Sequence, residues 1–335
     1  MIREVALSMA FLFGGGIVQE GIAKEHRTVG AQQTHCLGRY LLDLPADARI
    51  EAKFAFADAE IETIRTVDEA GYRQRVEAKE RELRDSPHAE TGSQFVGRED
   101  FDPHHVSLAS WNGPNSRRVY RYDMYAYAPE QQVLFKLSGQ GNATPRARSM
   151  ASDYQQALLT GSLRYRPNND IPREPGFCID SGFIARSTVN KERVTADAVL
   201  PRYPGVAVRF LSYVTGTPDV ELLERSSSIP PGYEEVAARM KTLRRGTREV
   251  NGASGQELLI RADSEGKTAY EFLWESQGQA NSIERPFLSL RLSTTEHTDG
   301  RGEVIDAPFA SDDEAIAFWE GVLSTLRLRS GAVGR

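Results

Sequence analysis

Two stretches decide how this chain is read: Thr34-His35-Cys36-Leu37-Gly38-Arg39-Tyr40-Leu41-Leu42-Asp43-Leu44-Pro45, and Phe177-Cys178-Ile179-Asp180-Ser181-Gly182-Phe183-Ile184 in the second half. Each is a short apolar strand with a cysteine at or just ahead of it. Pro45 ends the first, because proline donates nothing to a sheet ladder. Gly38 and Gly182 suit close backbone approach. After the first opening, Ile50, Ala52, Phe54 and Phe56 alternate with polar residues as a half-buried strand does, and Ile61 and Thr63 continue extended. Residues 68–85 turn to a charged, helix-forming composition with Tyr72, Val76, Ala78 and Leu83 as a thin apolar stripe. Serine, proline and glycine mark a loop across 86–93. A β-rich block follows: Val106, Leu108 and Ser110, the turn Asn112-Gly113-Pro114-Asn115, then alternating runs over 119–127 and 133–137. Ser152-Asp153-Tyr154-Gln155 fits a capping box that opens a helix reaching Thr160.

The second opening leads through the same outline. Residues 194–199 and 206–214 are β-branched and alternating. Residues 233–245 read as a basic amphipathic helix carrying Val236, Met240 and Leu243. Residues 258–262, 269–274 and 287–292 supply three more strands. Ser311-Asp312-Asp313-Glu314 is a capping box, and Ile316, Trp319, Leu323 and Leu326 stripe the closing helix. The halves also end alike, in Ser162-Leu163-Arg164-Tyr165-Arg166 and Thr325-Leu326-Arg327-Leu328-Arg329. Residues 167–175 contain Pro167, Pro172 and Pro175 without apolar periodicity and read as a linker. The expected fold is α+β, with two similar domains at 34–166 and 176–330, each an antiparallel sheet packed with helices. Duplication explains the matching order better than coincidence between two ordinary α+β halves.

Composition narrows the function. The 335 residues carry a formal net charge of −6 at neutral pH, with 26% charged and 40% hydrophobic residues. That is the balance of a folded protein and lacks the positive surface a nucleic-acid binder concentrates. Arg3, an apolar run over 5–18 and the small residues Gly21-Ile22-Ala23 have the layout of a secretory signal peptide at 1–23, although Glu4 is atypical; a buried N-terminal helix or a misplaced start is the alternative. The run is shorter than the roughly 20 apolar residues that span a bilayer. No cysteine follows it at a lipid-attachment position, and no other segment approaches a membrane span, so an integral membrane protein is not expected.

Motifs for catalysis are scarce. There is no HExxH, G-x-S-x-G, P-loop or G-x-G-x-x-G. Asp100, Asp102 and His104 lie close together, yet read better as a solvated loop entering the strand at Val106. Gly139-Gln140-Gly141 lacks a third glycine, and Asp180-Ser181-Gly182 reads as a turn. Neither an enzyme, a cofactor nor a metal is expected. Cys36 and Cys178 are the chain's two cysteines. They either bridge, as an oxidising compartment permits, or stay reduced as small buried hydrophobes. Trp111, Tyr120, Tyr122, Tyr125 and Tyr127 cluster near one hairpin; such residues favour protein interfaces, and equally a two-sided sheet core.

The two openings resemble those of a bacterial immunity family, the two-domain proteins that neutralise lipase (phospholipase) effectors of the type VI secretion system. The similarity covers most of 34–330, is strong at the two openings and weaker at the closing helices. It implies a periplasmic inhibitor in a Gram-negative bacterium, whose α+β domains grip a cognate lipase effector and hold its lid shut. Blocking a gating motion needs no chemistry from the inhibitor. Some members are lipoproteins; the missing lipid-attachment cysteine departs from them and favours soluble periplasmic residence. The matched motifs contain no effector-contacting residue, so contacts are expected from the exposed loops 110–117 and 226–233, with Trp111, Asn112, Asn115, Ser227, Ile229 and Tyr233 as candidates. The alternative is an envelope solute-binding or assembly module, which would need a small-molecule pocket instead.

Overall fold

Strand pairing carries most of the chain. The computed structural model describes residues 31–334 apart from 188–190, 229–231, 233, 265 and 295–305. The leader at 1–23 therefore lies outside the described residues, as do the candidates Ile229 and Tyr233. The chain divides into two units, one with described residues 31–35, 40–52 and 195–328, the other with 36–39, 53–194 and 329–334. The backbone passes between them within β1 (Gln32–Leu37), β3 (Arg49–Phe56) and β12 (Glu192–Val199).

In the unit that holds 53–194, an antiparallel ladder runs from the end of β3 through β4 (Ala59–Arg65), β8 (Val133–Asn142), β7 (Val119–Ala128) and β6 (His105–Trp111) to β5 (Phe95–Asp102). The expected helix at 68–85 is α1 (Glu69–Asp85), capped where Asp68 accepts a hydrogen bond from Gly71 N. Its Tyr72, Val76 and Leu83 pack on Val106, Leu108, Tyr125, Tyr127 and Leu134, the inward side chains of β6, β7 and β8. Tyr72 stacks on Tyr127 with ring centroids 5.0 Å apart, and Tyr127 donates to Val67 O. The second helix, α2 (Pro145–Leu159), begins earlier than the Ser152 box suggests. Thr144 caps it and Pro145 takes its first position, where a missing N–H costs nothing, so Ser152 lies mid-helix and donates to Glu99 instead. A small sheet in the order β10 (Phe177–Ile179), β11 (Gly182–Ile184), β9 (Leu163–Tyr165) completes this unit.

In the other unit the ladder order is β14 (Met240–Val250), β15 (Ala253–Ser264), β16 (Lys267–Ser276), β17 (Phe287–Ser293), β13 (Ala207–Tyr213). A short antiparallel pair joins β2 (Tyr40–Pro45) to β18 (Arg327–Leu328). Ser311 caps α3 (Asp312–Leu323) as its sequence predicts. Trp319 and Phe318 of α3 pack with Phe272, Tyr203 and Phe309, and all are buried. The helix expected over 233–245 is corrected: one turn forms at Glu234–Ala237, and Met240 opens strand β14, in register with β15 from Met240↔Ala262 to Val250↔Ala253. Pairing overrides the i, i+4, i+7 apolar spacing there, and the β-branched Thr242, Thr247 and Val250 suit a strand.

Three helices of more than one turn stand against eighteen strands among the described residues. The antiparallel sheets are as expected, but with few helices the fold is mostly β where α+β was expected. Strand-period runs occupy more of the chain than the helix-forming segments that drew the eye.

Candidate functional site

Residues 36–39 of the first quoted opening and the second opening fold into one tightly bonded junction inside the unit that holds 53–194. Cys36 and Cys178 are disulfide-bonded across 142 residues, with Cα atoms 5.9 Å apart. Beside them Gly38 and Cys178 exchange both backbone hydrogen bonds, at 3.0 and 2.8 Å. Gly38 has φ +62°, and a Cβ there would lie 2.7 Å from Val194 Cγ2. A Cβ on Gly182 would lie 2.8 Å from Phe135 Cε1. Both glycines thus mark close approach. Next in sequence, Arg39 donates to both carboxylate oxygens of buried Glu192, at 2.8 and 2.6 Å, to Arg186 O at 2.9 Å and to Ala332 O. Burial raises the Glu192 carboxyl above its ordinary range against the pull of Arg39.

The repeated closings deliver a matching pair of arginines, each 1% exposed. Arg166 donates to the carbonyls of Pro167, Asn168, Asp170, Ile179 and Gly182. Arg329 donates to those of Pro172, Glu174 and Gly176. Among the described residues neither guanidinium has a carboxylate hydrogen-bond partner; carbonyl dipoles take the place of water around each charge. Burial lowers both, and with Arg39 and Arg166 close by Arg329 falls to about 10, still cationic at neutral pH. The 167–175 stretch, irregular as its prolines dictate, is therefore held from both flanks. Asp180 completes the junction, taking Asn168 Nδ2 at 2.8 Å and pairing with Arg65.

The candidate loop 110–117 belongs to the same unit and rests on a residue that sequence reasoning passed over. His88 is 4% exposed and lies parallel to the Trp111 ring, centroids 4.9 Å apart. Its Nε2 is 2.8 Å from Ser116 O, so that nitrogen carries the proton. Its Nδ1 accepts from the backbone N–H groups of Glu90 and Thr91. Ala89 N donates to Pro114 O at 2.9 Å, Trp111 N to Gln94 O at 2.8 Å, and Arg117 pairs with Glu90 at 2.7 Å. Loops 86–94 and 111–117 thus form one bonded surface. Trp111 is half-buried between His88 and Tyr120, whose centroid is 4.6 Å away, while Asn112 and Asn115 are exposed. Nothing in the spacing of a lone histidine within a polar loop distinguishes it as a latch.

Ser227, in the other unit, is exposed, and its N–H donates to Glu224 O at 3.1 Å. A group of ion pairs in that unit involves the edge strand β14. Arg244 and Arg248 reach Glu257, 1% exposed, and Glu320, while Trp319 Nε1 donates to Glu257 Oε1 at 2.7 Å. Hydrogen bonding to Arg248 and Arg244 holds the Glu320 carboxyl below its usual range. Alternating charged side chains are what an exposed edge strand needs against pairing with another chain.

The weak acidic cluster has an ordinary use: Asp102 accepts from His104 N at 2.8 Å and from the His105 ring. Among the described residues no cluster of three or more His, Cys, Asp or Glu could hold a metal. No helix among them is long and apolar enough to cross a membrane. The arrangement is a bonded scaffold with exposed loops.

Comparison with known proteins gives that scaffold a family. Residues 33–153 match the model of the Tle cognate immunity protein 4 N-terminal domain, and residues 170–331 that of its C-terminal domain. Among curated protein sequences none matches. Among solved structures, a chain in the crystal structure of the Tle4–Tli4 complex is 31% identical, with a TM-score of 0.80, covering 89% of this chain and 98% of that one. The apo immunity protein TplEi of the type VI secretion system from Pseudomonas aeruginosa is 30% identical, with a TM-score of 0.78, covering 89% and 97%. TplEi complexed with an "L" peptide is 29% identical, with a TM-score of 0.75, covering 90% and 100%. Similarity of this extent, over both domain models and nearly the whole of each relative, shows that the chain belongs to the Tle cognate immunity protein 4 family, as a two-domain immunity protein of the type VI secretion system.

Proposed function

We propose that this protein is a periplasmic inhibitor that binds a cognate type VI secretion lipase effector and clamps its lid, with no catalysis of its own. The observation that carries the reading is the 31% identity to a chain of the Tle4–Tli4 complex across 98% of that relative. The proposed contacts are Trp111, Asn112 and Asn115 on the latched loop pair, with Ser227, Ile229 and Tyr233 on the second loop. A bonded loop loses little entropy on binding, and a half-buried tryptophan with a polar rim suits an energetic anchor. We also infer a duplication with domains at 34–166 and 176–330 about the 167–175 linker. Arg166 and Arg329, last in their matched closings and alike in duty, support it. The leader at 1–23 fits an export signal.

The test is inhibition of the purified neighbouring-gene lipase by this protein, followed by a Gly/Ser replacement of residues 112–115. Stoichiometric inhibition that the replacement weakens supports both statements. Full inhibition by the replaced protein removes this loop from the contact set, and no inhibition by the natural chain overturns the functional reading itself.

A further inference from the structure

The chain contains two Asn-Gly steps, Asn112-Gly113 and Asn251-Gly252, and the fold treats them oppositely. In such a step the backbone nitrogen of the glycine can attack the asparagine side-chain carbonyl carbon. A C–N bond forms, ammonia leaves with the side-chain nitrogen, and the cyclic succinimide then opens by adding water, giving aspartate or isoaspartate. Glycine favours the reaction because no side chain shields its nitrogen.

Asn251 is tied down. Its Nδ2 donates to Ser324 O and to Leu326 O, both at 2.8 Å, satisfying carbonyls at the end of α3. Its backbone is left-handed, φ +46°, within the tight turn between β14 and β15, where Val250 pairs with Ala253. Expelling that nitrogen breaks two hydrogen bonds, and turning the carbonyl carbon toward Gly252 N breaks them first.

Asn112 is exposed on the 110–117 loop, and its side-chain amide has no hydrogen-bond partner among the described residues. Only its backbone is held, by Asn112 N donating to Val119 O at 3.1 Å. Around Gly113 the space is open: a Cβ built there meets nothing within 4 Å. The leaving group is free and the side chain can turn toward Gly113 N; a Cβ on Gly252 also meets nothing within 4 Å, so the contrast between the two steps lies in the asparagine amides.

We propose that Asn112 is a site of spontaneous deamidation, converting to aspartate or isoaspartate with release of ammonia, and that Asn251 is protected by its two hydrogen bonds. The product places a new carboxylate at the exposed tip of the hairpin, on the loop that carries the Arg117–Glu90 pair. The modification follows from the loop's geometry whether or not the loop touches an effector.

The test uses the full chain, aged at 37 °C at pH 8 and pH 6 and sampled by peptide mass mapping. The one-dalton gain is read separately at residues 112 and 251, with isoaspartate resolved by retention time. Conversion at 112 at least about tenfold faster than at 251, and faster at pH 8, is the expected result, two hydrogen bonds being worth that much or more. In chain unfolded by denaturant the two sites should convert at similar rates, because the local sequence chemistry is then the same. Asn251→Ala, which has no amide to lose, and Asn112→Gln, which should abolish the signal at 112, check the assignment. Equal rates at both sites in the folded chain, or an Asn112 that converts only when unfolded, would overturn the proposal.

Discussion

Reduction of the Cys36–Cys178 bond should remove a large share of this protein's stability. The bond closes a span of 142 residues, and chain entropy for a loop of that length gives about 5 kcal/mol at 25 °C. Whole domains are stable by about 5–15 kcal/mol, so this one crosslink is comparable with the total. The native state loses little on reduction, because both cysteines stay buried and the Gly38–Cys178 backbone pair remains. The change falls mainly on the unfolded chain, which expands; the guanidinium midpoint should drop and the denaturant slope should rise. The measurement is equilibrium unfolding of oxidised protein, reduced protein and the Cys36→Ala/Cys178→Ala variant, with hydrogen exchange resolved by peptide. Both sulfurs belong to the unit that holds 53–194, so exchange should accelerate in β10 and β11 before it does in β14–β17. Unfolding free energies within about 1 kcal/mol of each other in the oxidised and reduced forms would refute the reasoning, being far below the loop-closure value.

Gly182→Ala should destabilise by about 1–3 kcal/mol, since its Cβ would sit 2.8 Å from Phe135 Cε1, whereas Gly216→Ala, with open space around it, should be nearly silent in the same thermal melts. Arg329→Met should cost about 3 kcal/mol or more by leaving the Pro172, Glu174 and Gly176 carbonyls buried without donors, and proteolysis within 167–176 should quicken; an unchanged digestion pattern would contradict the carbonyl cage. Glu320 is held below its usual range by Arg248 and Arg244, so its contribution is present above the unfolded value of about 4.3 and is lost as pH falls through the lower folded value. Glu320→Gln should therefore flatten the acid limb of the stability curve while leaving the alkaline limb alone; an unaltered acid limb counts against the pairing.

Much of the fold was legible where one local rule dominates. The helix expected over 68–85 forms at Glu69–Asp85, Ser311 caps α3 as its box predicts, Pro45 closes β2, and the turn at 112–115 does join β6 to β7. Misreadings came where two rules compete. Met240 and Leu243 sit at helical spacing, but pairing with β15 decides the backbone, and nothing local announces a distant partner strand. The Ser152 box is genuine in composition and idle in structure because Thr144-Pro145 starts the helix first. At the candidate site, the matched LRxR closings were visible as repetition, yet their task was not, since carbonyl acceptors leave no side-chain signature in a sequence. His88 was hidden for a related reason: most of its hydrogen-bond partners, Ser116 O and the N–H groups of Glu90 and Thr91, are backbone, and the Thr91 hydroxyl beside its Nδ1 is an ordinary loop residue.

Arg329 also sets an order of events in time. The carbonyls it receives belong to residues 172–176, and its own N–H donates to Arg39 O, so the last-made part of the second half finishes bonds begun near residue 39. A ribosome releasing residues in sequence has already produced nearly all of both halves before that arginine emerges. The Cys36–Cys178 and Arg39–Glu192 contacts need no residue beyond 192, whereas the carbonyls of 172–176 wait for Arg329. The Arg329 bonds are thus closing bonds, made only after both ends of the span they join exist.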